Sequence, residues 1–217
     1  MAIDEAKLQA FVGKMLGDLG SAIGAALVIV GDKLGLYKAV AAAGPITSDE
    51  LAELTTTSER YIREWLAAQA AAGYLQYDTA TQRYSMTPEQ ELVFAAEGSP
   101  VFMPGAFEII ASVLRDEPKI TEAFKTGRGV GWHEHDPSLF RGTERFFRPG
   151  YAAHLVNEWI PALDGVREKL ERGVVVADVG CGVGASTIIM AKAYPKSTFY
   201  GFDYHAGSIE LARVRAK

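Results

Sequence analysis

Residues 174–184 combine the side-chain types and the spacing of a cofactor-binding loop: Val-Val-Val-Ala-Asp-Val-Gly-Cys-Gly-Val-Gly. The β-branched start predicts a buried strand, and the glycines let the backbone turn tightly and let a ligand approach it. The helix predicted from Ala185 would direct its unpaired N–H groups and positive dipole end at that ligand. A second apolar strand, at 198–202, ends in Asp203, whose carboxylate can accept both hydroxyls of a ribose. The pattern therefore predicts a site for a nucleoside cofactor.

The class of nucleoside depends on one carboxylate. Gly180, Gly182 and Ala185 also satisfy the dinucleotide fingerprint G-x-G-x-x-G/A, and Asp203 lies at about the spacing which that fingerprint requires. Asp178 stands two residues before the first of these glycines. A carboxylate there would repel a pyrophosphate but attract a ligand with cationic ammonium and sulfonium groups. Asp178 therefore favours a sulfonium nucleoside, and a protein that binds an NAD-type dinucleotide is the alternative.

Two segments resemble motifs of a known enzyme class. Residues 178–184 resemble the first motif of class I S-adenosylmethionine-dependent methyltransferases, and residues 201–205 resemble their second. The resemblance implies transfer of a methyl group from S-adenosylmethionine to an oxygen, nitrogen or carbon acceptor. It also implies cofactor contacts from Asp178 at the amino end, Gly180, Gly182 and Gly184 along the backbone, Asp203 at the ribose and Tyr204 at the adenine.

The composition is that of an ordinary globular protein, with 217 residues, 48% hydrophobic residues and a net charge of -5. The single cysteine, Cys181, permits no internal disulfide and predicts a reducing, cytoplasmic environment. No secretory signal is recognisable at the N-terminus. The longest apolar stretch, 22–30, is too short to cross a bilayer. We therefore expect a soluble protein without a membrane partner.

The N-terminal region predicts a dimerisation surface. Apolar residues recur at helical spacing up to about residue 43 and predict two helices, the first up to Leu19 and the second from Ile23. The second helix is rich in glycine and alanine and is apolar on more than one face. Such a helix needs burial on several sides, so we expect a homodimer formed through these helices.

Residues 46–87 predict a winged helix. Thr47 and Glu50 have the spacing of a capping box, Ser58 can cap a second helix, and Gly73 would end it. Two short β-forming runs then flank a polar turn at 78–82, which is a hairpin signal.

The charges of this region oppose DNA binding, which is the obvious function of a winged helix. Residues 1–100 carry seven basic and thirteen acidic groups. Because phosphate contacts dominate DNA affinity, we expect no nucleic-acid partner. A winged-helix DNA-binding regulator nevertheless stays an alternative function.

The segment before the first strand contributes further candidates. His133 and His135 could act as general bases, because an imidazole titrates near neutral pH, but two histidines cannot complete a metal site, so no metal is expected. In methyltransferases of similar build this segment often covers the cofactor. The resemblance then implies that Arg148 pairs with the cofactor carboxylate, while Phe147 or Tyr151 packs on the sulfonium side. Core packing between domains is the alternative explanation of these residues.

Aromatic residues in the same segment suit an apolar or aromatic methyl acceptor, and ordinary core packing explains them as well. They are Trp132, Phe140, Phe146 and Phe147.

The fold class predicted is a mainly α winged-helix and dimerisation domain followed by an incomplete α/β Rossmann-like methyltransferase domain. We place the dimerisation domain at 1–97, a helical linker that covers cofactor and substrate at 98–172, and the first half of the S-adenosylmethionine-binding domain at 173–217. A complete domain of this family needs about five more strands than the two recognised. The chain would then be truncated, one fragment of a longer protein, or a half completed by a partner. We expect this chain alone to be inactive, and an inactive dimerisation partner is a further alternative.

Overall fold

A computed structural model describes residues 3–217 of the chain. It divides into two compact units, Met1–Ala96 and Glu97–Lys217. Residues 1 and 2 of the predicted domain 1–97 lie outside the described residues. The predicted boundary between 172 and 173 falls within the second unit and stays a prediction.

The first unit is helical, with one small hairpin. Its elements are α1 Glu5–Lys33, α2 Leu36–Ala43, α3 Ser48–Thr55, α4 Glu59–Ala71, β1 Gln76–Asp78, β2 Arg83–Ser85 and α5 Pro88–Phe94. The predicted capping box is confirmed, because Thr47 Oγ1 accepts from the Glu50 N–H while the Glu50 carboxylate accepts from the Thr47 N–H. The predicted hairpin is also confirmed, since β1 pairs antiparallel with β2. Helix, turn, helix and hairpin form the expected winged helix.

Aromatic packing holds this unit together. Tyr37 lies edge-on against Trp65, with ring centroids 5.0 Å apart, and stacks on Phe94 at 4.8 Å. The buried Tyr37 hydroxyl donates to Gln69 Oε1 at 2.5 Å, and the Trp65 indole N–H donates to the Leu27 carbonyl at 2.9 Å. Both polar groups are therefore satisfied inside the core.

The helix α1 differs from the prediction. It continues without a break where two helices were expected, and the chain turns only at Gly35, whose φ is +70°. By length and composition alone it could cross a membrane, which is weak evidence because core helices and signal sequences satisfy the same criteria. Most of its large apolar side chains are exposed, namely Leu8, Phe11, Val12, Met15, Leu16, Leu19, Ile23 and Val30.

The second unit packs helices against a small parallel sheet. Its elements are α6 Pro104–Arg115, α7 Glu117–Thr126, a 3₁₀ turn Trp132–Glu134, α8 Ser138–Gly150, a π-helix Tyr151–Trp159, α9 Val166–Arg172, β3 Val175–Val179, α10 Ala185–Ala193, β4 Thr198–Phe202 and α11 Ala206–Arg215. The strands β3 and β4 are parallel, with Asp178 beside Gly201. The prediction that the first strand, β3, is buried is wrong, because Val175 and Val179 are 74% and 83% exposed. Ile160 at the end of the π-helix, Leu170 and Tyr194 form a buried cluster, and Val176 of β3 and Phe199 of β4 pack against it.

The helix α8 was not anticipated from the sequence, and its position depends on glycine. A Cβ at Gly142 would lie 2.7 Å from the Gly105 carbonyl oxygen, so α6 and α8 meet backbone to backbone. Beside this contact, the buried Glu108 carboxylate binds Arg141 Nε at 2.7 Å and also binds Arg145. The contact and the ion pairs fix α8, which forms one wall of the site described next.

Candidate functional site

The glycine turn lies between β3 and α10. The N–H groups of Gly180 and Cys181 both donate to the Phe202 carbonyl, at 2.7 and 3.0 Å, which ties the turn to the end of β4. Gly180, Gly182 and Gly184 have φ values of +81°, +54° and +77°, which L side chains rarely adopt. The tight turn predicted for these glycines is therefore confirmed.

Asp203 fixes the shape of this turn. One carboxylate oxygen accepts from the Gly182 N–H at 2.9 Å, and the other accepts from the His205 N–H at 2.8 Å. Each oxygen keeps a further lone pair, so the carboxylate can still accept hydroxyl donors. The structure thus brings Asp203 and the glycine turn together, as the sequence suggested.

Asp178 makes a different set of contacts from those expected. Its Oδ2 accepts from the Ser186 hydroxyl at 3.0 Å and from the Thr187 hydroxyl at 2.6 Å, both in the first turn of α10. A carboxylate at this position is stabilised by the positive end of the helix dipole. Asp178 does not line the cavity described below. Its predicted contact with the amino end of a ligand stays a prediction.

A cavity of about 340 Å³ opens beside the glycine turn. On the sheet side it is lined by the turn, the start of α10, Asp203, Tyr204 and Ser208, and on the other side by the 3₁₀ turn and α8. The lining side chains from the second group are Trp132, Phe140, Thr143, Glu144, Phe147 and Tyr151. Of the candidates from sequence, Gly180, Gly182, Asp203, Tyr204, Phe147 and Tyr151 therefore share this cavity, whereas Gly184 does not line it.

Aromatic rings form much of the second wall. Trp132 packs edge-on against Phe140 at 5.2 Å, and Phe140 stacks on His205 at 4.6 Å. Farther along α8, Phe147 stacks on Tyr151 with centroids 6.1 Å apart. The cavity therefore has the glycine turn and Asp203 on the sheet side, and aromatic rings together with Thr143 and Glu144 on the helix side.

Two charged side chains line the cavity, and both are acidic: Glu144 and Asp203. Glu144 is 12% exposed, and its Oε1 contacts Arg148 Nε at 2.9 Å and Arg215 Nη1 at 3.1 Å. The two arginines are themselves half exposed and do not line the cavity. Arg148 is thus bound to Glu144, and its predicted pairing with a cofactor carboxylate stays a prediction.

The two candidate bases lie outside the cavity lining. His133 packs edge-on against Tyr204 at 5.8 Å. His135 Nδ1 lies 2.9 Å from Asp116 Oδ2, and this carboxylate is 2% exposed. Hydrogen bonds from the Lys119 ammonium, the Asp136 N–H and His135 hold the pKa of Asp116 well below its usual range. His135 therefore belongs to a buried polar cluster, and the general-base role of either histidine stays a prediction.

Cys181 lies at the back of the glycine turn. Its side chain is 8% exposed, and a Cβ at Gly201 would lie 2.8 Å from the sulfur. Burial raises the pKa of the Cys181 thiol, and the nearby Asp178 and Asp203 carboxylates raise it further. The thiol is therefore held in its unreactive, neutral form.

Sequence reasoning missed Glu144, Thr143 and Ser208 as cavity residues. Phe140, Thr143, Glu144 and Phe147 follow helical spacing on one face, so recognising α8 would have grouped them. Within residues 3–217, no cluster of three or more His, Cys, Asp or Glu side chains could hold a metal.

Comparison with protein families gives two matches. Residues 22–95 match the Rv2258c-like winged HTH domain, and residues 170–217 match a methyltransferase domain. No curated protein sequence matches the chain significantly.

Solved structures share the fold over almost the whole chain. The mitomycin 7-O-methyltransferase MmcR matches with a TM-score of 0.71 and 19% identity, covering 98% of this chain and 63% of its own. PigF with SAH matches with a TM-score of 0.61 and 15% identity, covering 95% of this chain and 62% of its own. CalO1, a methyltransferase in calicheamicin biosynthesis in its SAH-bound form, matches with a TM-score of 0.57 and 19% identity, covering 98% and 63%.

The present chain thus spans less than two thirds of the length of these proteins. This likeness shows a Rossmann-like fold for the parallel β3–α10–β4 unit, which lies within the residues that match a methyltransferase domain. Two segments of the chain are therefore similar to known domains: residues 22–95 to the Rv2258c-like winged HTH domain, and residues 170–217 to a methyltransferase domain.

Proposed function

We propose that this chain supplies the S-adenosylmethionine site of a methyltransferase that acts on a small molecule. The observation that supports this most is the charge of the cavity, whose two charged lining side chains, Glu144 and Asp203, are both carboxylates. A dinucleotide would bring a pyrophosphate against these carboxylates, which costs electrostatic energy. S-adenosylmethionine brings a sulfonium and an ammonium instead, so its charges complement the site.

The glycine turn fits the same ligand. A Cβ at Gly180 or Gly182 would meet nothing within 4 Å, so both positions face open space, and both line the cavity. A ligand can therefore approach the backbone closely at the N-terminus of α10. The cavity volume of about 340 Å³ lies at the lower end of the range of small-molecule sites.

When bound, S-adenosylmethionine supplies a methyl group that its positively charged sulfur already activates. In our proposal Asp203 accepts hydrogen bonds from the ribose hydroxyls, in addition to the two backbone bonds that it already makes. The rings of Phe147 and Tyr151 face the positive sulfur and stabilise it by cation–π attraction. Rate acceleration would then come from orientation and from exclusion of water by the aromatic wall.

Ligand binding tests the proposal directly. Thermal melting of the purified chain with S-adenosylhomocysteine should show a concentration-dependent rise in Tm, because a ligand that binds only the folded state stabilises it. NAD⁺ at the same concentration serves as the control and should leave Tm unchanged. Stabilisation by NAD⁺ but not by S-adenosylhomocysteine would replace this proposal with a dinucleotide site.

The acceptor is proposed to be small and apolar or aromatic. Trp132 and Phe140 line the cavity on the helix side, where an aromatic acceptor could stack. MmcR and CalO1, which share the fold, are named for methyl transfer in mitomycin and calicheamicin chemistry. The present chain spans only part of the length of these proteins. The acceptor is therefore proposed for a protein that contains this chain and the remainder of the fold.

The winged helix is proposed as a dimerisation scaffold and not as a DNA reader. Its basic side chains are bound to carboxylates, as the pairs Arg60–Glu64, Arg63–Glu59 and Arg83–Glu50. Few cations are thus left to displace counterions from a phosphate backbone. A mobility-shift assay at low salt should show no complex with duplex DNA, and a salt-dependent shift would contradict this assignment.

We propose that α1 forms a homodimer with a second copy of the chain. Its exposed side chains include Phe11 at 62%, Leu16 at 64% and Ile23 at 70%. Burying them against an identical helix would remove a large apolar surface from water. Light scattering after gel filtration should give twice the monomer mass, and Leu16→Glu should give the monomer. Co-flotation with vesicles would instead assign α1 to a membrane and contradict the cytoplasmic location that we propose.

A further inference from the structure

We propose that Glu144 binds the ammonium group at the amino-acid end of S-adenosylmethionine. This inference rests on the proposed function of the cavity and names a cofactor-binding residue that the motifs do not contain. Glu144 lies in the middle of α8, between Phe140 and Phe147, which line the same wall.

The first argument is the geometry of the carboxylate. Arg148 and Arg215 both contact Oε1, from α8 itself and from the end of α11. Within residues 3–217, Oε2 forms no hydrogen bond with another side chain or with the backbone. The two arginines therefore orient the carboxylate, and because Glu144 lines the cavity, its second oxygen is available to a donor there. An ionised acceptor forms the stronger kind of hydrogen bond with an ammonium.

The second argument is the distribution of acceptors over the ligand. S-adenosylmethionine carries two sets of strong donors, the ribose hydroxyls and the ammonium. The cavity has two carboxylates, and Asp203, at the end of β4, has the position that suits a ribose. Asp178, the other acidic candidate, does not line the cavity, and its Oδ2 already accepts from two hydroxyls. Glu144 is the carboxylate left for the ammonium.

The net charge around Glu144 does not prevent this assignment. The side chains of Arg148 and Arg215 are 46% and 37% exposed, so water screens their charges. Glu144 itself is only 12% exposed and lines the cavity, whereas neither arginine does. A ligand in the cavity therefore meets the carboxylate before it meets the guanidinium groups.

The test compares two ligands that differ in one group. Calorimetry measures the affinity of the wild-type chain for S-adenosylhomocysteine and for its deaminated analogue, which lacks only the amino group. The wild type should bind the deaminated analogue about tenfold more weakly, the value of one hydrogen bond between charged groups. Glu144→Gln should bind S-adenosylhomocysteine about tenfold more weakly than the wild type and should no longer distinguish the two ligands.

The matched control is Glu210→Gln, which makes the same change at an exposed carboxylate of α11 that does not line the cavity. It should retain the preference for the amino group to within about twofold. Equal affinities of the wild type for both ligands would overturn the inference without any variant. A Glu144→Gln chain that still distinguished the ligands would overturn it too. Failure of the wild type to bind either ligand would refute the proposed function itself, which is a separate result.

Discussion

Replacing Gly142 by alanine should loosen the contact between α6 and α8 and thereby the helix-side wall of the cavity. The new Cβ would lie 2.7 Å from the Gly105 carbonyl oxygen, 2.9 Å from Glu108 Cβ and 3.0 Å from the Ile109 nitrogen. Carbon contacts are most favourable at about 3.5 Å or more, so the helices must separate by about 0.8 Å. Two of the three atoms are backbone, so a rotamer change cannot relieve the overlap.

The expected magnitude follows from two opposing effects. Overpacking of this kind costs about 3 kcal/mol at the upper end of its usual range. Alanine in a helix is more favourable than glycine by about 1 kcal/mol. Gly142→Ala should therefore lower the free energy of unfolding by about 2 kcal/mol, which corresponds to a fall in Tm of about 8 °C.

Gly150 provides a matched control in the same helix. Its φ of −63° and ψ of −43° are helical, and a Cβ there would meet nothing within 4 Å. Gly150→Ala should thus gain the helix preference alone and raise Tm by about 4 °C. Because both variants gain the same helix preference, the difference between their Tm values measures the cost of the close contact alone.

Circular dichroism melting of the two variants and the wild type provides the measurement. Gly105→Ala should behave like Gly142→Ala, because its Cβ would lie 2.7 Å from the Phe146 nitrogen and 2.8 Å from the Gly142 carbonyl oxygen. If Gly142→Ala melted at or above the temperature of Gly150→Ala, the close contact between these helices would be refuted.

Three further predictions concern the glycine turn, its cysteine and the buried acid cluster. Gly182→Ala should keep the fold at a cost of about 1 kcal/mol, because alanine disfavours the positive φ at this position. The new Cβ would enter the cavity, so calorimetry should show weaker binding of S-adenosylhomocysteine. An unchanged affinity would place the ligand elsewhere. Cys181 should react with a disulfide reagent far more slowly in the folded chain than in urea, since burial raises its pKa; equal rates would contradict this. Asp116 has a lowered pKa, so its stabilisation should be complete above about pH 4 and be lost as the pH falls below that value. Melting curves should therefore show a smaller acid dependence for Asp116→Asn, and identical slopes for both proteins would contradict the assignment.

Short-range signals made the sheet and the glycine turn predictable. The start of α10 at Ala185, the strand β4 at 198–202 and the capping box at Thr47 were all recognised from neighbouring residues. The helix α5 carried an equally local signal that was overlooked, since Thr87 caps it and Pro88 follows at its first position.

The elements that were predicted wrongly or missed are those whose structure the sequence does not signal locally. The break expected near Gly20 in α1 does not form, because a glycine inside a helix costs only about 1 kcal/mol and does not end it. The helix α8 contains Gly142, Pro149 and Gly150, which suggest irregular chain in the sequence alone. Gly142 contacts Gly105 of α6, which lies more than thirty residues earlier in the sequence, so no local pattern reveals this contact. The place of Glu144 in the cavity lining was missed because α8 itself was not recognised.

The π-helix Tyr151–Trp159 has more residues per turn than an α-helix, and this sets the directions of its side chains. It bonds with a five-residue spacing, as the Ile160 N–H to Leu155 carbonyl bond of 3.0 Å shows. Tyr151 at its start lines the cavity, while Ile160 just beyond its end lies in the buried cluster with Leu170 and Tyr194. If this segment adopted the tighter α-helical repeat, its two ends would rotate relative to each other. Either Tyr151 would then leave the cavity or Ile160 would leave the buried cluster. Deleting a single residue from the π-helix would therefore disturb both the cavity and the buried cluster. The same deletion in an exposed loop would change only the loop.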